Sequence, residues 1–202
     1  MWYLTKSPYW LQALYPQLTW HKNRRLPDLY LTFDDGPIPD VTEQILNILQ
    51  TYQVKATFFC VGENAARYPE ILERIKAQGH QTGNHTYHHL KGWKTPLKTY
   101  VDDVTRCHSH VPSRLFRPPH GRGTRAQYRK LKGYEIIMWD VLSGDFDPDL
   151  SPEKCLSHVL RHARNGSIIV FHDSLKAKER VLYALPRAIE YWKEKGFNFK
   201  TL

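Results

Sequence analysis

A cluster of histidines at residues 85–89 has the spacing of metal ligands. His85 and His89 are four positions apart, so on a helical turn both imidazoles would lie on one face and could bind one cation. His85 and His88 would fit almost as well. Because two histidines on one turn accompany an acidic pair elsewhere in the chain, the pattern favours a metal site over a hydrogen-bonded or exposed histidine.

The acidic pair is formed by Asp34 and Asp35, which Gly36 and Pro37 follow. Asp-Gly-Pro is typical of turns, but a turn alone does not explain two consecutive acids. Adjacent side chains in a loop cannot both point the same way. We therefore expect one carboxylate to bind the metal while the other remains free as a base.

Each of these groups follows a predicted β-strand. The chemically interesting residues after the strands are Asp34 and Asp35 (first strand), His85, His88 and His89 (third), Arg117 (fourth), Asp145 (fifth) and His172 (sixth). In α/β barrels the carboxyl ends of the strands aim side chains at one point, and that face holds the active site. The sequence therefore predicts one site at this face.

The elements that must position these residues alternate between two periods. Short apolar runs predict about seven strands, at residues 29–33, 56–61, up to about 84, 115–116, 135–139, 167–171 and 198–202. Helical patterns lie between them, beginning at Asp40 (with Glu43 completing a capping box), near Ile71, at about Pro96, at Ser151 and at Leu182. This alternation predicts an α/β fold with a parallel sheet, either a barrel or an open doubly wound sheet. No glycine-rich phosphate fingerprint follows the first strand, which argues against nucleotide binding.

Residues 1–27 form an aromatic-rich segment before the first strand. Ser7 and Pro8 predict the start of a short helix, with the serine as its cap. We expect the segment to pack on the domain of residues 28–202, away from the catalytic face. The alternative is a membrane-surface anchor, which would use Trp2, Tyr3 and Trp10 with Lys6.

The composition sets broader limits. The chain carries a net charge of +9, which favours an anionic partner or reflects a solvated Lys/Arg surface. It has no long basic run and no nucleic-acid motif, so we expect no nucleic-acid partner. Three widely spaced cysteines do not form a disulfide framework. Without a convincing signal peptide or transmembrane span we expect a cytoplasmic protein and no membrane association, with export as the open alternative.

Five motifs carry a resemblance to a known family. They are TFDDGP (32–37), HTYHH (85–89), RPPHG (117–121), WDVLSGDF (139–146) and IIVFHD (168–173). In this order they resemble the polysaccharide deacetylase family, the NodB-homology domain of carbohydrate esterase family 4, over about residues 28–175. The resemblance implies a single-domain distorted (β/α) barrel and a divalent metal ion, usually zinc.

The resemblance also implies a role for each matched residue. It places the metal on Asp35, His85 and His89. It makes Asp34 the catalytic base, oriented by Arg117, and His172 the general acid, held by Asp145. The backbone N–H of His120, where the family commonly has tyrosine, would bind the oxyanion.

Some positions depart from the family pattern. Phe146 and Val170 stand where tryptophan and leucine are common, and both would line an apolar acetyl pocket. Leu142 stands where a polar partner of the motif arginine is often found. Asp140 is then a candidate partner for Arg117.

The activity that the resemblance implies is the metal-dependent removal of acetyl groups from N-acetylated sugars such as chitin oligomers or peptidoglycan. Metal-activated water would attack the acetamide, with an aspartate base and a histidine acid. One alternative is an O-acetyl carbohydrate esterase on the same scaffold. Another is a non-catalytic glycan- or nucleic-acid-binding domain, which would predict a broken catalytic set.

Overall fold

The computed structural model describes residues 3–202, so Trp2 of the suggested membrane anchor lies outside the described residues. Strands are β1 (Asp28–Asp34), β2 (Thr57–Cys60), β3 (Gln81–Asn84), β4 (Leu115–Phe116), β5 (Glu135–Ile136), β6 (Val141–Leu142), β7 (Ile168–His172) and β8 (Asn198–Phe199). Helices are α1 (Tyr9–Leu14), α2 (Val41–Thr51), α3 (Gly62–Arg67), α4 (Pro69–Ala77), α5 (Leu97–His108), α6 (Arg125–Lys130), α7 (Pro152–His162) and α8 (Lys178–Glu194). Short 3-10 turns lie at Gly92–Lys94 and Pro119–Gly121.

Seven parallel strands form one curved sheet in the order β5-β4-β3-β2-β1-β7-β6, and β8 pairs with the start of β1. The strands curl into a half-barrel within a single α/β domain. This confirms the predicted distorted (β/α) barrel. Because the strands are parallel, their carboxyl ends share one rim.

One stretch of chain supplies both ends of this sheet. Within residues 135–142, β5 pairs with β4 and β6 pairs with β7. The prediction of a single strand at 135–139 is therefore wrong beyond Ile136, because the backbone leaves β4 there to reach β7. Asp145 accordingly follows β6 and not the predicted strand.

The N-terminal segment covers this break with backbone hydrogen bonds. Thr19 donates to the Ile136 carbonyl at 2.9 Å and accepts from the Met138 N–H at 2.7 Å, and Thr5 accepts from the Leu142 N–H at 2.9 Å. Trp20 is buried in the cluster that includes residues of β4 and α5. The segment thus pairs with the sheet where the barrel strands separate.

Two expectations about this segment are wrong. The Tyr3 ring lies 5.0 Å from the Phe146 ring, which lies 5.1 Å from His172, so the beginning of the segment reaches the catalytic face. Ser7 does not cap α1, because its hydroxyl donates to the Trp139 carbonyl at 2.6 Å and Pro8 occupies the cap position.

Side chains alternate across β1, as a strand requires. Leu29, Leu31 and Phe33 are fully buried in the main core, which packs against helices such as α2 and α8. Thr32 and Asp34 point to the other face, the interior of the half-barrel, where both contact Arg117. No helix among residues 3–202 is both long and apolar enough to cross a membrane.

The structure confirms two of the predicted helix caps but differs from the sequence prediction at three helices. Glu43 accepts from the Asp40 N–H at 2.9 Å, as the predicted capping box requires. Ser151 caps α7 as predicted by accepting from Lys154 N–H. The short helices α3 and α6 were not predicted, and α8 begins at Lys178, four residues before the predicted start.

Candidate active site

The adjacent carboxylates at the end of β1 point in different directions. Asp34 continues the inward face of the strand, and its Oδ1 accepts from Arg117 Nη1 at 2.7 Å. Asp35 has left the strand with φ 89°, a left-handed conformation uncommon for non-glycine residues. Its Oδ1 lies 3.1 Å from His89 Nε2 and 3.9 Å from His85 Nε2.

The turn after these carboxylates is held by Asp173, which sequence reasoning did not single out. Gly36 N–H donates to Asp173 Oδ1 at 2.8 Å, and Thr42 donates to Oδ2 at 2.7 Å. A Cβ at position 36 would lie 1.8 Å from Asp173 Oδ2, so only glycine allows this approach. Burial raises the pKa of Asp173 to about 7 despite these two donors. Its signal in the sequence is its position directly after His172.

The histidine motif is a loop and not the predicted helical turn. Thr86 and His89 have φ angles of 62° and 54°, which an α-helix does not allow. The loop nevertheless brings the rings of His85 and His89 within 5.1 Å of each other. His88 points elsewhere, with Nδ1 2.5 Å from Asp103 Oδ1. Of the two pairs that the sequence allowed, only His85 and His89 converge on Asp35.

Asp103 on α5 is a second residue that sequence reasoning missed. Besides the His88 ring, its carboxylate accepts from the Tyr87 N–H at 2.7 Å and the His88 N–H at 3.0 Å. These three contacts fix the middle of the histidine loop. Nothing in the spacing of the motif indicates this helix residue.

Ligand atoms of Asp35, His85 and His89 lie within 4.8 Å of one another. Tetrahedral ligands with bonds of about 2.0–2.1 Å are about 3.3 Å apart, so these donors fit a divalent cation. His85 Nδ1 lies 2.7 Å from the Arg117 carbonyl and can donate to it, which leaves Nε2 as a lone-pair donor towards Asp35. Burial lowers the pKa of His85 to about 4, so the ring is in the neutral form that metal binding requires.

Arg117 is a fully buried cation at the centre of the half-barrel. Nη1 also donates to Thr32 Oγ1 at 2.8 Å, and Nε and Nη2 donate to the Ile137 and Met138 carbonyls in the break of the strand. Burial lowers the pKa of the guanidinium, and the Asp34 carboxylate opposes that effect. The candidate partner Asp140 is wrong, since it lies 2.6 Å from Arg24 and not on Arg117.

His172 and Asp145 form the other ion pair of the site. Asp145 Oδ1 lies 2.7 Å from His172 Nδ1, and Oδ2 accepts from the His172 backbone N–H at 2.7 Å. Burial alone would lower the pKa of His172, but the Asp145 carboxylate, with smaller contributions from Asp35 and Asp34, raises it to about 9. Arg180 donates from Nε to the Asp145 backbone carbonyl at 2.7 Å, which fixes the backbone at Asp145.

Apolar side chains surround His172. Phe146 lies edge-on at 5.1 Å between ring centroids. Val170 precedes His172 by two residues, shares its strand face, is fully buried and pairs in register with Leu142. His120, with φ 58°, places its ring 4.8 Å from the ring of His89. The rim therefore combines three metal-type ligands, a carboxylate held by arginine, an imidazolium held by aspartate and an apolar wall.

The sequence is similar to those of known deacetylases. Residues 21–137 match the family described as polysaccharide deacetylase. A peptidoglycan-N-acetylglucosamine deacetylase of Bacillus cereus is 30% identical over 193 residues, which is 92% of this chain and 91% of that protein. A chitooligosaccharide deacetylase of Azorhizobium caulinodans is 32% identical over 77% of this chain and 78% of that protein.

A solved structure supports the same assignment. The crystal structure of a peptidoglycan N-acetylglucosamine deacetylase in complex with 4-naphthalen-1-yl-N-oxidanyl-benzamide matches with a TM-score of 0.90 at 29% identity. The match covers 97% of this chain and 95% of that one. The motifs, the fold and these relatives lead to one conclusion: the chain belongs to the polysaccharide deacetylase family.

Proposed function

We propose that the protein is a metal-dependent hydrolase that removes the N-acetyl group from N-acetylglucosamine-type saccharides. The observation that carries this proposal is the placement of two opposite ion pairs, Asp34–Arg117 and His172–Asp145, around the Asp35–His85–His89 cluster. One pair offers a carboxylate and the other an imidazolium. Hydrolysis of an amide needs both a proton acceptor and a proton donor.

The three ligands fit zinc or another divalent cation. When bound, such a cation supplies Lewis-acid polarisation and lowers the pKa of water from about 15.7 towards about 7. With Oδ1 of Asp34 committed to Arg117, Oδ2 is the atom that would take the proton of the attacking water. The backbone N–H of His120 would donate to the developing oxyanion, next to the cluster.

The leaving amine requires a proton, because an amide nitrogen leaves poorly as an anion. His172 would donate this proton to the leaving nitrogen. A pKa of about 9 keeps the ring protonated at neutral pH, and Asp145 on Nδ1 leaves Nε2 as the donor. The acetyl methyl group would lie against Phe146, Val170 and Leu142, which present only apolar atoms.

An exposed tryptophan beside the site favours a saccharide longer than one ring. Trp93 is 63% exposed, and its Nε1 donates to the Gly123 carbonyl at 3.0 Å, so the indole is held in place. The Arg122 guanidinium lies 5.1 Å from its centroid. Trp93 follows the histidine loop by four residues, and Gly123 follows His120 by three. A fixed apolar ring at this rim offers a surface for a neighbouring sugar face.

Mass spectrometry of acetylated glycans tests the function. We expect loss of acetyl from N-acetylglucosamine oligomers or peptidoglycan fragments, greater on oligomers than on the monosaccharide, and abolished by chelation. Acetylated xylan is the comparison substrate. Acetyl loss from xylan alone would replace the proposal with an O-acetyl esterase, and no acetyl loss from any glycan would favour a binding domain.

The acid is tested by a contrast between leaving groups. His172→Ala should lower kcat on an N-acetyl oligomer by about 10²–10⁴-fold with metal content unchanged. It should lower the rate on an activated acetyl ester much less, because that leaving group needs no proton. Asp34→Asn, which removes the base, should affect both substrates. Equal losses for His172→Ala on amide and ester, with metal retained, would mean that His172 is not the leaving-group acid.

A further inference from the structure

A polar cavity lies at the rim of the half-barrel opposite the catalytic one. A cavity of about 420 Å³ is lined by Tyr9, His21, Arg24, Arg164 and Asn165. Arg164 and Asn165 come just before β7, whereas His172 ends that strand. The strand separates the two places by about 15 Å at about 3.3 Å per residue. The cavity is therefore separate from the catalytic site.

The lining of this cavity is cationic. It contains two guanidinium groups and no carboxylate. Behind the lining lies Asp140, which is 1% exposed and forms an ion pair with Arg24. Arg24 lies 2.6 Å from one of its oxygens, and Ser167 Oγ and Ile168 N–H also donate to it. Asp140 thus balances the charge of Arg24 and holds it in place, so the uncompensated positive charge of the cavity comes from Arg164.

Arg24 is held rigidly by its other contacts. Its Nη1 donates to the Asn165 carbonyl at 2.8 Å and to Ser167 Oγ at 3.2 Å. A guanidinium has five N–H donors, so these bonds fix its plane and leave donors for a ligand. Such a fixed fork loses little side-chain entropy on binding a planar or tetrahedral oxyanion.

Arg164 on the other side has no acidic partner among residues 3–202. Its guanidinium lies 5.3 Å from the Tyr9 ring centroid, and its Nε is buried without a hydrogen-bond partner among the described residues. A buried unpaired N–H is costly unless a ligand or water satisfies it. Lys6 approaches the same ring at 5.6 Å. Contact with Arg164 lowers the pKa of Tyr9, which reports positive charge around its hydroxyl.

We propose that this cavity binds a phosphate-type oxyanion between Arg24 and Arg164, with the Tyr9 hydroxyl as a further donor. Guanidinium forks match the geometry of phosphate oxygens, and the lining offers no competing carboxylate. The group can be a free phosphate or a phosphate within an anionic chain, since the open cavity accepts either. The site does not depend on the deacetylase reaction.

Isothermal titration of the full chain tests the site with two probes, inorganic phosphate and a glycerol phosphodiester. We expect one saturable site. Arg164→Gln should weaken binding about tenfold or more, the effect of losing a hydrogen bond to a charged group. Tyr9→Phe, which removes only an exposed hydroxyl, should weaken binding by a smaller factor. It keeps the test decisive if Arg164→Gln misfolds.

Arg187→Gln is the matched control. Arg187 is exposed and lies 3.9 Å from the Tyr183 ring centroid, but it lines no part of this cavity. Arg187→Gln changes the net charge by the same amount as Arg164→Gln does, and the variant should bind both probes as the wild type does. Binding of the phosphodiester supports a polymer-borne phosphate, and binding of inorganic phosphate alone supports a free one. Absence of binding by both probes, or equal weakening in Arg164→Gln and Arg187→Gln, would overturn the proposal.

Discussion

Each side chain to which we assign a role in the reaction is fixed by a neighbour that would not itself react. Arg117 holds the Asp34 carboxylate, Asp145 holds the His172 ring, and the Arg117 carbonyl sets the tautomer of His85. Contacts of this kind fix the orientation of reacting groups, and orientation is a large part of catalysis. The same logic extends to Asp103, which contacts none of Asp35, His85 and His89 and yet fixes the loop between the two histidines that we propose as ligands.

Replacing Asp103 should therefore weaken metal binding without removing a ligand. Asp103→Asn removes the charge that accepts two backbone N–H groups and the His88 ring. We expect metal affinity to fall about 10–100-fold, as for other residues that support a metal ligand. At saturating metal, kcat should stay close to the wild-type value. Titration against a competing chelator measures the affinity.

The neighbouring Asp102→Asn is the control. Asp102 lies on the same helix but is exposed, and its partner among residues 3–202 is Lys98 at 2.6 Å. Its replacement should leave metal affinity unchanged, because exposed ion pairs contribute little. Equal affinities in the two variants would show that Asp103 does not position the loop.

At the scale of elements, the N-terminal segment forms backbone hydrogen bonds with the sheet at the break between β5 and β6. Its backbone pairs with residues 136–142, where the strand crosses from β4 to β7 and would otherwise expose unpaired backbone groups. Trp20 anchors it, since the indole is 7% exposed and its Nε1 donates to the Tyr15 carbonyl. The segment is thus a stability element more than a detachable appendage.

Two tryptophans of this segment make that statement testable. Trp20→Ala should lower the free energy of unfolding by about 3–5 kcal/mol, the usual loss for a buried tryptophan. Trp10→Ala, at a position that is 66% exposed, should change it by less than about 0.5 kcal/mol. Urea unfolding measures both. Similar small losses would mean that the segment is not part of the cooperative fold, and loss of vesicle binding in Trp10→Ala would favour the membrane anchor.

At the scale of the whole molecule, buried histidines make folding depend on pH. His80 Nδ1 accepts from the Ala56 N–H at 3.2 Å, which only a ring unprotonated at Nδ1 can do. Burial lowers the pKa of His80 to about 4, from 6.5 in the unfolded chain. Between these two pKa values the unfolded chain binds more protons than the folded protein does. The contribution of neutral His80 to the stability of the fold is therefore fully present above pH 6.5 and is lost as the pH falls towards 4.

His80→Asn should flatten this part of the stability profile. Asparagine offers an acceptor near the Nδ1 position but does not titrate. We expect the loss of unfolding free energy between pH 6.5 and 4 to shrink by about 1–2 kcal/mol, after allowance for solvent screening. His110→Asn, at an exposed position, should leave the profile unchanged. A wild-type slope in His80→Asn would show that His80 does not contribute.

The sequence predicted the fold and the residues of the site better than it predicted the local backbone. The strand ends identified Asp34, Asp35, His85, His89, Arg117, Asp145 and His172, all of which meet at one rim. The helical turn at 85–89 and the strand at 135–139 were wrong, because positive φ angles and a change of pairing partner leave no mark in residue periodicity. Asp103 and Asp173 were missed for a related reason, as both act through long-range contacts to backbone N–H groups.

The four side-chain hydrogen bonds of Arg117 have a consequence for protein engineering. The same guanidinium donates to Asp34, the proposed base, and to two backbone carbonyls where the strand changes partners. A library that varies position 117 cannot separate selection for turnover from selection for expression, since the two traits share one side chain. Phe146 is only partly buried and lies outside the strands, whereas Val170 and Leu142 are buried in paired strands, where substitutions also affect folding. Diversity aimed at new acyl groups therefore belongs first at Phe146, with Arg117 kept constant.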